Sequence, residues 1–359
     1  MNIKSMNPKV SIVMPIYNAS AFLENSLGKL LKQTLEDIEI ICVNDGSTDN
    51  SLEMIQSYAS NDSRIVIIDK PNGGYGHAVN KGIDIAKGKY IGILEPDDSA
   101  DIHMYEDLFA LAEENDVDVV KSNYYEYNKK SDSSTYFEAL HGLKYNTIIA
   151  AKDFPDIFYV RPSVWSAIYR REFLKKNGIV FNETPGASYQ DTGFAFKVWV
   201  SANRIVLTDK AYIYYTIDND NSSVKSSGKI FSVCDEMHGI ESFLNQDQTR
   251  KKMYSKYLQS VKLDTYYWNL NRISIEYQRY FKDVIGLEFL KAEYDGFLDK
   301  DILGETRWKI LEPILEAYKT NSEYNQLKYN YDAVIGSYSY KIGSTLMKLP
   351  SAVKRLFKK

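Results

Sequence analysis

The stretch Tyr90-Ile91-Gly92-Ile93-Leu94-Glu95-Pro96-Asp97-Asp98 constrains this chain more than any other, because an apolar, strand-like run ends abruptly in three carboxylates and a proline. A buried parallel strand reads like the first half, with no polar interruption. The second half cannot run on into a core, since unpaired carboxylates are too costly to bury. The acids therefore emerge at the carboxyl end of a strand, where open α/β sheets place ligands. Clustered carboxylates there suit a hard divalent cation that phosphate oxygens would share. Taken alone, the stretch also fits a plain polar loop.

The preceding residues supply the rest of such a sheet. Val10 to Pro15 reads as a strand stopped by Pro15, which cannot donate to a ladder. Asn18 and Ser20 offer caps to a helix whose apolar face is Phe22, Leu23, Leu27, Leu30 and Leu31. Ile38 to Val43 is a second strand, closing on Asn44-Asp45-Gly46-Ser47-Thr48-Asp49, a cluster that turns the chain and caps a helix over 51–58. Asp49 suits the cap. Ile65 to Ile68 is a third strand, and Asn72-Gly73-Gly74-Tyr75-Gly76-His77 leads from it into a helix over 78–86. The glycines allow close backbone approach to a ligand, with helix amides facing an anion, or they form a simple turn. After the Tyr90 strand come a helix over 105–114 and a strand over 117–121. This rhythm predicts an α/β fold with a mostly parallel sheet covered by helices, its ligand site across the strand ends.

Length and charge narrow the class. At 359 residues the chain is long enough for two domains, and a net charge of −4 argues against a general nucleic-acid binder. Cys42 and Cys234 lack ligand or redox spacing and read as reduced thiols of a cytoplasmic protein. No run approaches the roughly 18 apolar residues of a membrane span, and the first residues lack a signal-peptide pattern. Beyond Lys229 long helical patterns take over, over 231–244 and 249–280 and in shorter segments after them. The expected domains are 1–226, carrying the site, and 227–359, mostly helical and ending in a basic amphipathic tail. From Ala333 onward the tail has no acid; Lys341, Lys348, Lys354, Arg355, Lys358 and Lys359 alternate with apolar residues. It suits peripheral contact with the inner face of a membrane, or a basic unstructured tail. The helical part suits acceptor contact or a homo-oligomer, and the sequence leaves both open.

Four motifs in order resemble family 2 glycosyltransferases: Val10 to Asn18, Val43 to Asp49, Asn80-Lys81-Gly82-Ile83 with Ala86 to Ile91, and Glu95-Pro96-Asp97-Asp98. The resemblance covers about the first two thirds of the chain. It implies the GT-A fold and inverting transfer of a hexose or N-acetylhexosamine from a UDP-sugar to a hydroxyl of a glycan, lipid-linked saccharide or glycoprotein, as in bacterial capsule, exopolysaccharide and adhesin-glycosylation enzymes. By resemblance Asp45 accepts the uracil imide proton, and Pro15, Ile16, Tyr17 and Asn18 flank the base. Gly74 and Asn80 border the nucleotide sugar, while His77 lies near the diphosphate or packs in the loop. Asp97 ligates Mn2+ or Mg2+; Glu95, in place of the usual aspartate, faces the ribose or a metal-bound water. Pro96 sits between them, and Asp98 touches the sugar or orients its neighbours. Asp191, in Tyr189-Gln190-Asp191, matches the catalytic base position, with Gln190 where a glutamate is usual; a helix N-terminal acid is the plain reading. Trp165 and Gln190 are expected on the acceptor side, Trp165 as a stacking platform or a core residue. Asn219 to Lys225 resembles a loop closing over the donor.

Gly304, three residues before Arg307-Trp308, departs from the glutamine of processive membrane synthases. The Pro15-to-Asn18 turn lacks the glycine-rich basic loop of sugar nucleotidyltransferases. The non-enzymatic alternative is a UDP-sugar-binding scaffold for a partner transferase.

Overall fold

A computed structural model describes residues 7–219 and 230–319 and divides the chain into two compact units, Met1–Ser223 and Val224–Lys359. The Lys225 loop and the basic tail lie outside the described residues.

The first unit is built on one mixed sheet. Strands β1 (Val10–Ile16), β2 (Ile38–Asp45), β3 (Ile65–Lys70) and β4 (Tyr90–Ile93) pair in parallel in the order β3-β2-β1-β4. Between them run helices α1 (Ser20–Leu30), α2 (Ser51–Asn61) and α3 (Tyr75–Ile85). Strand β1 continues through Pro15 instead of stopping there. Its pairing with β4 ends at Val13–Ile93, and the Val13 carbonyl accepts the Leu94 amide at 3.0 Å. Two residues on, the missing N–H of Pro15 faces the side where β4 has already ended, so no ladder bond is lost. Every residue of β1 and β2 is buried, including Ser11 and Glu39, which interrupt the apolar runs and are satisfied by the Ser11 hydroxyl donating to the Glu39 carboxylate.

The other half of the sheet is antiparallel in part, which the helix–strand rhythm did not predict. After β5 (Ser99–Ala100) and α4 (Met104–Asn115), β6 (Val119–Asn128) forms a hairpin with β7 (Ser133–Phe137). Then follow β8 (Ile148–Ile149), β9 (Ala167–Arg170), α5 (Arg171–Lys176), α6 (Gln190–Ser201) and β10 (Ile205–Thr216). Strand β9 lies antiparallel between β4 and β6, and β10 runs parallel to β6, giving the path β3-β2-β1-β4-β9-β6-β10-β5. Alternation divides the aromatics of β6 and β10 between two faces. Tyr125 stacks on Tyr214 with centroids 5.1 Å apart, whereas Tyr124 and Tyr215 turn toward Trp165.

The second unit is helical among its described residues: α7 (Ser232–Asn245), α8 (Gln248–Arg272), α9 (Ile275–Tyr294) and α10 (Lys300–Lys319). The long helix expected over 249–280 is two helices, because Ile273 and Ser274 are extended (ψ 152° and 150°). Helix α10 is kinked at Gly304, whose φ is +74°.

Candidate active site

The strand ends gather the expected residues in one region of the first unit. At the end of β1, Tyr17 is 53% exposed while Pro15 and Ile16 are buried. Asn18 adopts φ +50°; its side-chain oxygen accepts the Thr48 amide at 2.7 Å and its own amide donates to Ser47 Oγ at 3.0 Å. It therefore ties β1 to the loop after β2 rather than capping α1. Asp49 caps instead, accepting the Ser51 hydroxyl at 2.6 Å and the Ser20 and Ser51 amides at 3.0 Å each, and these bonds hold its carboxyl down at about 2 against its desolvation.

Asp45 closes β2 and is buried. It accepts the Gly73 amide at 2.8 Å, the Gly74 amide at 2.9 Å and the Lys70 ammonium. Those two amides are thus not free for an anion, as the glycine run had suggested; they orient a carboxylate. A carboxylate has about four acceptor positions, so Asp45 keeps one for a ligand N–H. Lys70 was missed in the sequence, although it sits directly across the β2–β3 ladder from Asp45.

Glu95, Asp97 and Asp98 follow β4 with ligand oxygens within 4.8 Å of one another. Asp98 is buried; its Oδ1 accepts the Thr216 amide at 2.9 Å, while Oδ2 has no hydrogen-bond partner among the described residues. Asp97 Oδ2 accepts Asn219 Nδ2 at 2.8 Å, and its carbonyl accepts Thr216 Oγ1 at 2.6 Å. Burial, then the negative charge of Asp97 and of Asp191, pushes Glu95 up to about 8. Burial and the charges of Asp97 and Glu95 likewise push Asp98 well up. Three crowded oxygen donors with an orphaned, buried carboxylate oxygen fit a hard divalent cation. Pro96 follows from the sharp turn between these ligands.

Helix α3 carries the other wall. Its first amide, of Tyr75, donates to the Gly186 carbonyl at 3.1 Å. A Cβ on Gly74 would lie 2.8 Å from the Gly186 nitrogen, and one on Gly76 would lie 2.1 Å from the Asn182 carbonyl oxygen. Asn80 clamps the same segment, donating to the Phe181 carbonyl at 2.9 Å and to Glu183 at 3.1 Å while accepting the Phe181 amide at 2.9 Å. The glycines and Asn80 thereby seat the chain that leads into α6. His77 packs its Nδ1 over Gly73, where a Cβ would approach within 2.2 Å.

At the start of α6, Tyr189 takes φ +61° and Asp191 stands in the first turn. Burial pushes the Asp191 carboxyl up to about 6, opposed by the Thr192 amide and by the positive charge of Arg161. Gln190 is buried, and its amide is spent on Thr184 Oγ1 (2.9 Å), the Gly186 carbonyl (3.1 Å) and the Ser188 amide. It braces the loop. Trp165 is 6% exposed, stacked on Tyr215 at 5.2 Å and edge-on to Tyr124. It is a wall residue, not an open platform, because both neighbouring strands cover it. Arg161, which donates to Tyr124 Oη at 2.8 Å and lies over the Tyr124 and Tyr215 rings, carries the positive charge felt by Asp191.

The family described as "Glycosyl transferase family 2" matches residues 11–178. The glycosyltransferase GlyG of Streptococcus pneumoniae is 34% identical over 225 residues, spanning 58% of this chain and 71% of GlyG. The chain belongs to glycosyltransferase family 2. The uncharacterized glycosyltransferase EpsJ of Bacillus subtilis is 35% identical over 227 residues, covering 60% of this chain and 63% of EpsJ. Residues 1–349 of TarS from S. aureus superpose with a TM-score of 0.65 at 19% identity over 90% of this chain and 91% of that one. That likeness establishes the family's GT-A fold for this chain.

Proposed function

We propose that this family 2 enzyme transfers a hexose or N-acetylhexosamine from a UDP-sugar to a hydroxyl of a glycan, lipid-linked saccharide or glycoprotein, with inversion at the anomeric carbon. The observation that carries the reading is that Glu95, beside Asp97 and Asp98, feels the charge of Asp191. That proximity of the acids after β4 to the acid of α6 supports a donor side and an acceptor side facing one another. TarS has been solved with UDP and with UDP-GlcNAc, which supports a uridine nucleotide donor.

In this reading Tyr17, beside Pro15, Ile16 and Asn18, flanks the uracil, and the spare acceptor position of Asp45 takes the imide proton. Glu95, Asp97 and Asp98 would hold Mn2+ or Mg2+, Asp97 first among them. Such a cation, when bound, supplies a Lewis acid that neutralises charge on the departing diphosphate. Asp191 takes the proton from the acceptor hydroxyl as its oxygen attacks the anomeric carbon opposite the diphosphate. A base with a raised pKa suits that task better than an ordinary aspartate, since its affinity for the proton is greater. The Thr192 amide and Arg161 partly offset the effect of burial on Asp191.

The test is UDP release from a panel of UDP-sugars, with and without acceptor, by wild type and Asp191→Asn. Donor turnover by wild type, lost in Asp191→Asn with UDP affinity retained, is the expected result. Binding of UDP with neither hydrolysis nor transfer by wild type would instead make the chain a donor-binding scaffold.

A further inference from the structure

Tyr75 has no place in the reading above, and its surroundings are unusual for a core tyrosine. Its ring meets Phe181 edge-on with centroids 5.7 Å apart, and Phe181 is itself held by stacking on Phe194 of α6 at 4.1 Å. Its amide is pinned to Gly186. The hydroxyl at the end of this rigid ring is fully buried, yet meets no hydrogen-bond partner among the described residues. Buried hydroxyls are ordinarily satisfied, so a fixed phenol without a partner calls for an absent one. The Glu95 carboxyl on the donor side is near enough to interact with the hydroxyl without completing a hydrogen bond of ordinary geometry, and the hydroxyl also feels Asp191 on the acceptor side. A phenol is protonated at neutral pH, so the hydroxyl serves as a hydrogen-bond donor.

The space between an acid that faces the diphosphate and one that faces the attacking hydroxyl is where the transferred sugar ring must lie. We propose that Tyr75 is a specificity-determining residue whose hydroxyl donates a hydrogen bond to an oxygen substituent of the transferred sugar. This rests on the donor and acceptor sides assigned above. It also accounts for a tyrosine directly after Gly74: the φ of +89° at Gly74 turns the chain so that the first helical residue points inward. A carbonyl oxygen of an acetamido group and a ring hydroxyl offer the same acceptor chemistry, and the donor panel separates them.

The experiment compares wild type with Tyr75→Phe, which keeps the ring and its packing. Steady-state kinetics over the UDP-sugar panel are combined with calorimetric affinities for UDP and for the preferred UDP-sugar, both with Mn2+. For the preferred donor, kcat/KM should fall by about tenfold, the loss of one hydrogen bond to the sugar. Affinity for UDP alone should not change, and the preference over the donor lacking the contacted substituent should shrink. Equal kcat/KM and equal donor ranking in the two proteins would overturn the role of Tyr75 while leaving the transferase reading intact. So would a parallel loss of UDP affinity, which marks a structural role. If wild type binds a UDP-sugar without turning it over, the transferase reading fails. Tyr75 is then judged on affinity, where an unchanged ratio of UDP-sugar to UDP binding overturns it. No affinity of wild type for any UDP-sugar overturns both.

Discussion

Two desolvated ionisable residues make the activity and the stability of the first unit depend on pH. To act as the proposed base Asp191 must be ionised, and desolvation moves its pKa from 3.8 to about 6. The acidic limb of kcat/KM should therefore lie near pH 6, two units above that of an exposed aspartate, and initial rates between pH 5 and 8 will locate it. A limb near pH 4 would remove Asp191 from the proton transfer. Lys121 of β6 is 1% exposed, and its ammonium donates to the Ser163 carbonyl (2.5 Å), Ser163 Oγ (2.8 Å) and Ser166 Oγ (2.8 Å). All are neutral oxygens, and burial lowers its pKa to about 7. Because the folded value lies below the unfolded one, the unfolded chain binds more protons above pH 7, and folding stability from this residue rises with pH there. Urea unfolding at pH 7 and 9 should show wild type gaining on Lys121→Met by about 1 kcal/mol per unit. Glu95 acts oppositely in part of that window, losing stability as pH rises toward about 8, so only the comparison with the variant isolates Lys121.

At the scale of elements, α3 and the segment before α6 behave as one piece, joined through glycines that admit a neighbouring backbone. Gly76→Ala would drive a Cβ to 2.1 Å from a main-chain oxygen that cannot swing away. It should destabilise by about 1–3 kcal/mol and depress turnover through displacement of Asp191. Gly28→Ala is the matched control, since it sits inside α1 with no atom within 4 Å of the new Cβ and should stabilise by about 0.5–1 kcal/mol. Thermal melts of both variants decide the point. The sequence showed β1 to α4 well because hydrophobic period, turn residues and caps agreed there. It hid β9, four residues directly after a tight 3₁₀ turn, and β10, whose alternation is broken by irregular register between Thr208 and Ile213. The break between α8 and α9 lacks glycine and proline altogether. Within the site, the acidic cluster was legible because three acids ended one strand. Lys70 and Tyr75 were not, since their places depend on strand register and on packing between segments about a hundred residues apart. Trp165 is buried by rings of two strands distant in sequence, whereas Gln190 is held by bonds within its own loop.

On the scale of the whole molecule, the candidate site residues among those described belong to the first unit, and the second has an ionic core of its own. Lys262 of α8 pairs with Glu288 of α9 at 2.9 Å and with Glu241 of α7. Glu288 also accepts Tyr266 Oη at 2.7 Å and lies 3.1 Å from His238 Nε2. Lys262 and Glu288 are both almost fully buried, and Lys262 with His238 holds Glu288 down at about 2 against its desolvation. A pair of this kind contributes little net stability over an apolar pair, yet removing one partner strands a buried charge. Lys262→Met should therefore cost the second unit about 3–5 kcal/mol at pH 7.5. The variant should recover part of that loss as pH falls toward 5, because a Glu288 without its cation binds a proton far more readily than in wild type. Adding Glu288→Gln should restore much of the loss at pH 7.5 by removing the stranded charge. Calorimetric unfolding of the three proteins, with UDP affinity measured alongside, tests both parts. The transition of the helical unit should move while UDP affinity stays, and a fall in UDP affinity in Lys262→Met would show that the site depends on the helical core.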